Sequence, residues 1–434
     1  MEPPQRRIKE SLMKRFHWSV APAGVTPVQR QNFLNVQIDA VGIGLASAAA
    51  PFLPVFLARL GASHFQVGLL TAMPALAGFL LAVAIGYFLQ TRRNIVPWFS
   101  GARLLTNLAY ALTGIVPFLL PRDYIVPAVL LIWAAVTIPQ TVVNISFSVV
   151  MNAVAGPEHR YELMSRRWSI LGFTTAVTVA IMGQILDRLS FPFNYQVVFI
   201  ALSVGGLISY HYSSHIELPD TEPPPAQPDL SRSQRLQGFV RLIRGEPAFL
   251  AFIAKQFVYT AGTALALPLL PLYYVHEVQA SDTWIGLINT SQTAIVLVGY
   301  YLWMRESKRH GGRFVLLWTT FGLALHPALV AVTHQVGWLV LYAGVAGIFQ
   351  AGLNLVFFDE LMKTVPPRYS ATFVSLSQSL QNMATVVAPL LGTLLADQIG
   401  LGNALLLSAL LRLIGFALFA RKTKTGPIPA EASV

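Results

Sequence analysis

The chain has 434 residues, of which 54% are hydrophobic and only 11% are charged. Soluble domains carry about 25% Asp, Glu, Lys and Arg because a water-facing surface must be polar. This composition therefore excludes a soluble enzyme and a nucleic-acid-binding protein, and the net charge of +11 is expected in the cytoplasmic loops of a membrane protein. The chain contains no cysteine, which excludes disulfides, thiolate metal sites and cysteine nucleophiles.

The first 32 residues are basic and amphipathic, and the first apolar run begins only after them. A charged segment of this length argues against a cleaved secretory signal. We interpret residues 1–32 as a cytoplasmic tail, which is either a helix on an anionic membrane surface or an unstructured segment.

Apolar runs then follow one another along the chain, and a helix needs about 20 such residues to cross the hydrocarbon core. Reading the runs against charged, proline and glycine residues predicts an all-α membrane protein with 12 transmembrane helices. The predicted spans are 33–58, 65–90, 95–119, 124–154, 166–187, 193–211, 247–275, 283–304, 313–333, 337–363, 372–396 and 401–420.

The loops between these spans have a strong charge bias. One side of the membrane receives 24 Lys and Arg residues and the other side receives three, Arg59, Arg122 and Arg188. Because basic residues accumulate in cytoplasmic loops, we expect both termini in the cytoplasm. An even number of spans likewise requires the two termini to lie on the same side of the membrane.

The longest polar stretch, 212–246, divides the spans into two bundles of six, 33–211 and 247–422, with a cytoplasmic tail at 423–434. The first part of this linker is acidic and rich in proline, which is typical of an unstructured segment. Its second part, SRSQRLQGFVRLIRG, alternates apolar and basic residues, which indicates an amphipathic helix at the membrane surface.

The two halves repeat each other. Leu53-Pro54 matches Leu270-Pro271 at an offset of 217 residues. Separately, Gly86-Tyr87 at the end of span two recurs as Gly299-Tyr300 at the end of span eight. A second, ungapped alignment at an offset of 210 places Gln140 on Gln350 and Asn144 on Asn354. Identical polar residues at identical spacing in membrane spans indicate a duplicated six-helix unit.

With these features the chain resembles transporters of the major facilitator superfamily. The first loop carries a similar motif, Pro54 followed by Leu60-Gly61-Ala62-Ser63 and Val67-Gly68-Leu69-Leu70. The resemblance implies two bundles built from inverted three-helix repeats, with a substrate site between them near the midplane. It also implies that spans one, four, seven and ten line the central cavity.

The segment between spans two and three departs from the family signature. Gln90 occupies the usual acidic position, whereas the basic Arg92 and Arg93 are present. We consider Arg92 and Arg93 as gating residues that hold helix C-termini or a carboxylate; the alternative is that they only orient the protein in the membrane.

Four carboxamides are the candidate substrate-binding residues, because residues four apart share one helical face. They are Gln140, Asn144, Gln350 and Asn354, to which Asn35 on span one is added. They would offer hydrogen-bond donors and acceptors without net charge. The competing interpretation is hydrogen bonding between helices.

Asp39, Arg103 and Lys255 are ionisable residues inside predicted spans, where an unpaired charge is costly. The sequence predicts an Asp39–Lys255 or an Asp39–Arg103 pair that forms and breaks during transport. If protons are coupled, Asp39 is the candidate carrier. The alternative is a static pair within one bundle.

Asp359 and Glu360 lie in span ten, near its predicted cytoplasmic end. We expect them either to bind the basic loops Arg305–Arg313 or Arg166–Arg167, which would close the inner mouth, or to form an ordinary solvated helix end.

These features favour a secondary transporter in the inner membrane that moves a small neutral or amphipathic organic solute as a functional monomer. The chain lacks a phosphate-binding loop, so an ion gradient, protons included, or the solute's own gradient would drive transport. No metal or other cofactor is expected. The alternatives are a lipid flippase on the same fold and a membrane-embedded enzyme, against which the absence of hydrolase motifs argues.

Overall fold

The structure is a computed structural model that describes residues 21–22, 24–62, 64–219, 241–280 and 282–421. The amphipathic tail up to residue 20, most of the predicted linker helix and the tail from residue 422 lie outside the described residues. The predicted domain boundaries therefore remain predictions.

The described residues of the first half form six helices. They are α1 (Pro27–Ser47), α2 (Phe52–Arg59), α3 (His64–Gln90), α4 (Val96–Leu119), α5 (Arg122–Arg188) and α6 (Phe193–Ser214). Helix α1 begins at Pro27, where a missing N–H costs nothing, and the Thr26 hydroxyl accepts a hydrogen bond from the Gln29 N–H at 3.2 Å.

The second half repeats the all-helical pattern. Its helices are α7 (Pro247–His276), α8 (Asp282–His310), α9 (Gly312–Ala331), α10 (Val336–Thr364), α11 (Ser370–Ile399) and α12 (Leu401–Ala420). A single 3-10 turn, Pro367–Tyr369, precedes α11.

Helix α5 contains two predicted spans joined by a sharp bend at Gly156. The backbone of Gly156 has φ 63° and ψ 174°, a conformation that glycine adopts without a steric penalty. Pro157 then begins the second limb. The helix that contains predicted span five therefore begins at the bend, before residue 166, and continues through the basic segment.

The first predicted span is interrupted. Helix α1 ends at Ser47 and α2 begins at Phe52. Pro51 immediately precedes α2; its ring disfavours helical geometry at the residue before it. The two helices together form one membrane-length segment, 27–57.

Within the described part of the chain, ten helical segments are long and apolar enough to cross a membrane. One of them, 122–186, contains both limbs of α5, which are about 50 and about 45 Å long at 1.5 Å per residue. Helix α8 is more polar but has 29 residues. Large apolar side chains such as Leu131 (72% exposed) and Leu119 (73% exposed) lie on the surface, as expected where lipid replaces water. The protein is a multi-pass integral membrane protein, and the predicted fold class is confirmed.

Small residues let helices approach closely in both halves. A Cβ atom on Gly205 of α6 would lie 2.4 Å from the Gly42 carbonyl oxygen of α1, and one on Gly415 of α12 would lie 2.9 Å from the Tyr259 Cβ of α7. The first and last helices of each half thus cross backbone to backbone, as in other tightly packed membrane helices.

The apolar core divides into three clusters. One cluster contains residues of both halves, among them Phe33, Val154, Phe249 and Phe373. A second contains only first-half residues around Phe56, and a third contains only second-half residues around Tyr273. The two bundles are therefore joined at the end where α3 ends and α11 begins, whereas at the opposite end each has its own core. We call the joined end the closed end.

Candidate functional site

Asp39 lies in a buried ionic cluster. Its carboxylate accepts hydrogen bonds from Arg103 Nη1 at 2.5 and 2.6 Å and from Ser209 Oγ at 2.6 Å, and Arg167 Nη2 lies at 3.4 Å. The side chain of Asp39 is fully buried, and both arginines are about 4% exposed. Each guanidinium also lies over an aromatic ring, Arg103 over Phe99 and Arg167 over Phe147.

This arrangement decides between the two predicted pairings. Asp39 is paired with Arg103, and the Asp39–Lys255 pairing is wrong. Lys255 lies on the face of α7 that carries Tyr259 and Gly262, and that face packs against α12 within the second bundle. All four residues of the cluster belong to the first bundle, so a rigid-body movement of the bundles leaves the pair intact.

Asn35 does not offer a free carboxamide. Its Nδ2 donates to the His215 carbonyl oxygen at 2.8 Å, its Oδ1 accepts from Gln31 Nε2 at 3.2 Å, and the residue is 2% exposed. This geometry contradicts the predicted place of Asn35 in the substrate site. Asn32 makes a similar contact one turn earlier, with Nδ2 donating to the Glu217 carbonyl at 2.7 Å and Oδ1 accepting from the Glu217 N–H at 2.9 Å.

The two predicted carboxamide pairs have the same internal geometry. Gln140 Nε2 donates to Asn144 Oδ1 at 3.3 Å on α5, and Gln350 Nε2 donates to Asn354 Oδ1 at 2.8 Å on α10. Gln140, Gln350 and Asn354 are partly exposed, and Asn144 is exposed. The spacing predicted from the repeat thus produces a matched hydrogen bond in each bundle.

The pairs differ in their surroundings. Asn354 Nδ2 donates to the Tyr300 hydroxyl of α8 at 3.0 Å. The ring of Tyr300 lies 5.5 Å from that of Trp168 on α5, and the Tyr300 carbonyl accepts from Ser165 Oγ at 2.9 Å. The second-half pair is therefore connected to the first bundle through Tyr300.

Gln90 contributes to the closed end where the family signature has an acid. Its Nε2 donates to the Arg368 carbonyl at 2.5 Å, and its Oε1 accepts from the Thr372 N–H at 3.3 Å. A carboxamide thus satisfies a free N–H in the first turn of α11 and joins α3 to the other bundle without a charge.

Within the described ranges of the chain, Arg92 and Arg93 do not make the predicted contact to a carboxylate. Both are exposed, and the Arg92 guanidinium stacks over the rings of Phe88 and Trp98 at 4.2 and 5.2 Å within its own bundle. The predicted gating contact at this loop is instead made by Gln90.

Two ion pairs also cross the interface at the closed end; the first is buried, and the second has an exposed lysine. Asp359 Oδ1 of α10 lies 3.3 Å from Arg160 Nη1 of α5, and Lys308 Nζ of α8 lies 2.8 Å from Glu162 Oε2. Asp359 therefore contacts the first bundle, but through Arg160 rather than through the expected basic loops. Glu360 pairs with Lys363 on its own helix at 2.8 Å, so its predicted contact across the interface is wrong.

Sequence analysis missed several residues that complete these clusters. Arg160 and Glu162 lie in a basic segment of which the predictions name only Arg166–Arg167, as a partner of Asp359 and Glu360. Arg167 instead contacts Asp39. A signal was available for Glu162, because an acid inside a basic segment is unusual there. Ser165, Trp168, Ser209 and the role of Tyr300 carried no such signal, since these residues are common in membrane helices.

Comparison with known proteins agrees with this architecture. The family model of the Major Facilitator Superfamily matches residues 254–433. The multidrug resistance protein MdtG of Proteus mirabilis is 24% identical over 167 residues, which cover 37% of this chain and 40% of that protein. MdtG of Citrobacter koseri is 26% identical over the same length, 37% of this chain and 41% of that protein. The chain thus matches about two fifths of the length of these relatives.

Solved structures share the whole fold at low sequence identity. The fucose:proton symporter FucP of E. coli has a TM-score of 0.71 at 14% identity, covering 91% of this chain and 100% of that one. A bacterial homologue of the iron transporter ferroportin in the outward-facing state has a TM-score of 0.69 at 15% identity, covering 91% and 99%. The human organic anion transporter MFSD10 has a TM-score of 0.66 at 14% identity, covering 91% and 100%. The sequence similarity to the superfamily model therefore lies in the second half of the chain, whereas the similarity in fold to these solved structures covers nearly all of it.

Proposed function

We propose that the protein is a secondary transporter that moves a small neutral or amphipathic organic solute by alternating access, and that it is not an enzyme. The observation that carries this proposal is the matched pair of carboxamides, Gln140–Asn144 in one bundle and Gln350–Asn354 in the other. A transporter that rocks two bundles around one site needs a binding group on each bundle, and a duplicated neutral group suits a solute without net charge.

The contacts between the bundles support an outward-facing conformation. They join α3 to α11 through Gln90 and α5 to α10 through Arg160, at the end that carries the basic loops. Because basic loops are cytoplasmic, the closed end faces the cytoplasm, the termini lie on that side, and the crevice opens outward. The bacterial relatives favour the inner membrane.

The ionic cluster around Asp39 supports a structural role in place of proton transfer. Its carboxylate faces two guanidinium groups and a hydroxyl in one bundle, so it is not positioned at the moving interface. We propose that the cluster fixes the packing of α1, α4, α5 and α6.

The relatives named as multidrug resistance proteins suggest chloramphenicol, a neutral amphipathic antibiotic, as the first probe. In proteoliposomes preloaded with chloramphenicol, we expect the purified protein to accumulate the radiolabelled compound by counterflow. Asn144→Ala and Asn354→Ala should each lower the initial rate about 10-fold, which corresponds to the loss of one buried hydrogen bond of about 1.4 kcal/mol.

The matched control is Asn403→Ala. Asn403 is exposed, and among the described residues its side chain bonds only to the Ile399 carbonyl, four residues earlier in the chain. Counterflow should therefore remain at the wild-type rate. Wild-type rates in both Asn144→Ala and Asn354→Ala would show that the carboxamides do not bind the solute. Lack of counterflow by the folded wild-type protein would contradict the proposed solute class.

A further inference from the structure

The two carboxamide pairs are equivalent in sequence, but their asparagine side chains differ in the contacts that hold them. Asn354 donates to the Tyr300 hydroxyl at 3.0 Å, whereas Asn144 is exposed and its bond to Gln140 is longer, at 3.3 Å. The asymmetry extends to the tyrosines. Tyr300 is 6% exposed, and Tyr87, its counterpart in the repeat, is 61% exposed.

Tyr300 has contacts on both sides of the bundle interface. Its hydroxyl lies on Asn354 of α10, its ring lies against Trp168 of α5, and its carbonyl accepts from Ser165. Close packing surrounds this point, since a Cβ atom on Gly172 of α5 would lie 2.7 Å from the Leu297 side chain of α8. The same side chain thus contacts α5 through its ring and Asn354 through its hydroxyl.

We infer that Tyr300 couples occupancy of the solute site to the contact between α5 and α8. This inference rests on the proposed role of Asn354 in solute binding. While the closed end is joined, the Asn354 amide donates its hydrogen bond to the Tyr300 hydroxyl. A solute that takes over this amide competes with Tyr300, frees its ring from Trp168 and weakens the contact. The open Asn144 pair accepts the solute first, and the Asn354 pair is engaged as α5 and α8 separate. A ligand shifts such an equilibrium only by its difference in affinity between the two states, and the bond to Tyr300 creates that difference.

The first test is chloramphenicol binding to the detergent-purified full-length protein. Tyr300→Phe keeps the ring and the backbone and removes only the competing hydroxyl, so we expect the affinity to rise about 2- to 10-fold, the range for one hydrogen bond. Counterflow should fall although binding is tighter, because the affinities of the two states become more equal. Tyr87→Phe and Tyr301→Phe are the matched controls, as both tyrosines are exposed, and each should bind and transport like the wild type.

The second test reports the α5–α8 contact directly. Because the chain has no cysteine, Gly172→Cys with Leu297→Cys places a single pair of thiols across this contact. Chloramphenicol should lower the rate of disulfide cross-linking in this background, and adding Tyr300→Phe should abolish the effect of the solute. Ser165→Ala, which leaves the Tyr300 hydroxyl in place, should weaken the contact but retain the effect of chloramphenicol on the cross-linking rate.

The outcomes separate the two proposals. If Asn354→Ala loses binding but Tyr300→Phe keeps wild-type affinity and solute-dependent cross-linking, the coupling role is wrong and the carboxamide site stands. If Asn354→Ala binds like the wild type, the proposed site is wrong, and the coupling inference fails with it.

Discussion

Asp39→Asn is expected to destabilise the folded protein by about 3–5 kcal/mol, the usual cost of removing one partner from a buried ion pair. The substitution preserves shape but leaves Arg103 and Arg167 facing each other without a carboxylate, each about 4% exposed. Thermal unfolding of the detergent-purified protein should show a marked fall in the melting temperature. Arg167→Leu added to Asp39→Asn should recover part of it, because one uncompensated charge is removed.

Asp123→Asn is the matched control for this experiment, because Asp123 is exposed at the start of α5; its melting temperature should not change. A wild-type melting temperature for Asp39→Asn together with an altered pH dependence of transport would contradict the structural role. That combination of results would instead support Asp39 as a proton carrier.

Asp359→Asn should open the closed end. The Asp359 and Arg160 side chains are 4% and 8% exposed, and truncating one member of a buried charge pair at an interface costs about 2–5 kcal/mol. The ratio of closed to open protein should therefore fall about 30-fold or more. Cross-linking of Gly172→Cys with Leu297→Cys measures this change as a lower rate of disulfide formation.

Glu360→Gln provides the control one residue further along α10. Glu360 pairs only with Lys363 of the same helix among the ion pairs of the described residues, so its loss should leave the cross-linking rate near that of the parent pair. Equal rates for Asp359→Asn and Glu360→Gln would mean that the ion pair to Arg160 does not hold the bundles together.

Much of the fold follows from patterns that the sequence displays directly. Hydropathy locates the spans, and the repeat locates the carboxamide pairs, because a helix places residues four apart on one face. Asn144 and Asn354 are therefore predictable as members of equivalent pairs. The bend at Gly156 is not predictable in this way, because the basic residues after it are typical of a loop. In the structure they lie on a helix whose buried face includes Arg160 and Arg167.

The partners of charged residues were harder to predict. Asp39 has several cations at a similar depth, and the choice between Arg103 and Lys255 depends on which face of α7 points towards the first bundle. An offset taken from a repeat fixes position along a helix but not rotation about its axis. Asn35 shows the same limit, because its amide faces a backbone carbonyl after α6 and not the crevice.

The contacts of Asn32 and Asn35 have a mechanical consequence for the connection between the bundles. The chain leaves α6 at Ser214, but the two amides attach it to α1 at His215 and Glu217, and Ile216 between them is 4% exposed. Any displacement of the second bundle must therefore be taken up after Glu217. Loss of the hydrogen bonds of Asn32 and Asn35 would lengthen the free connection between the bundles by about three residues, or about 10 Å when extended. It would thereby change how far the two bundles can separate without altering the structure of either bundle.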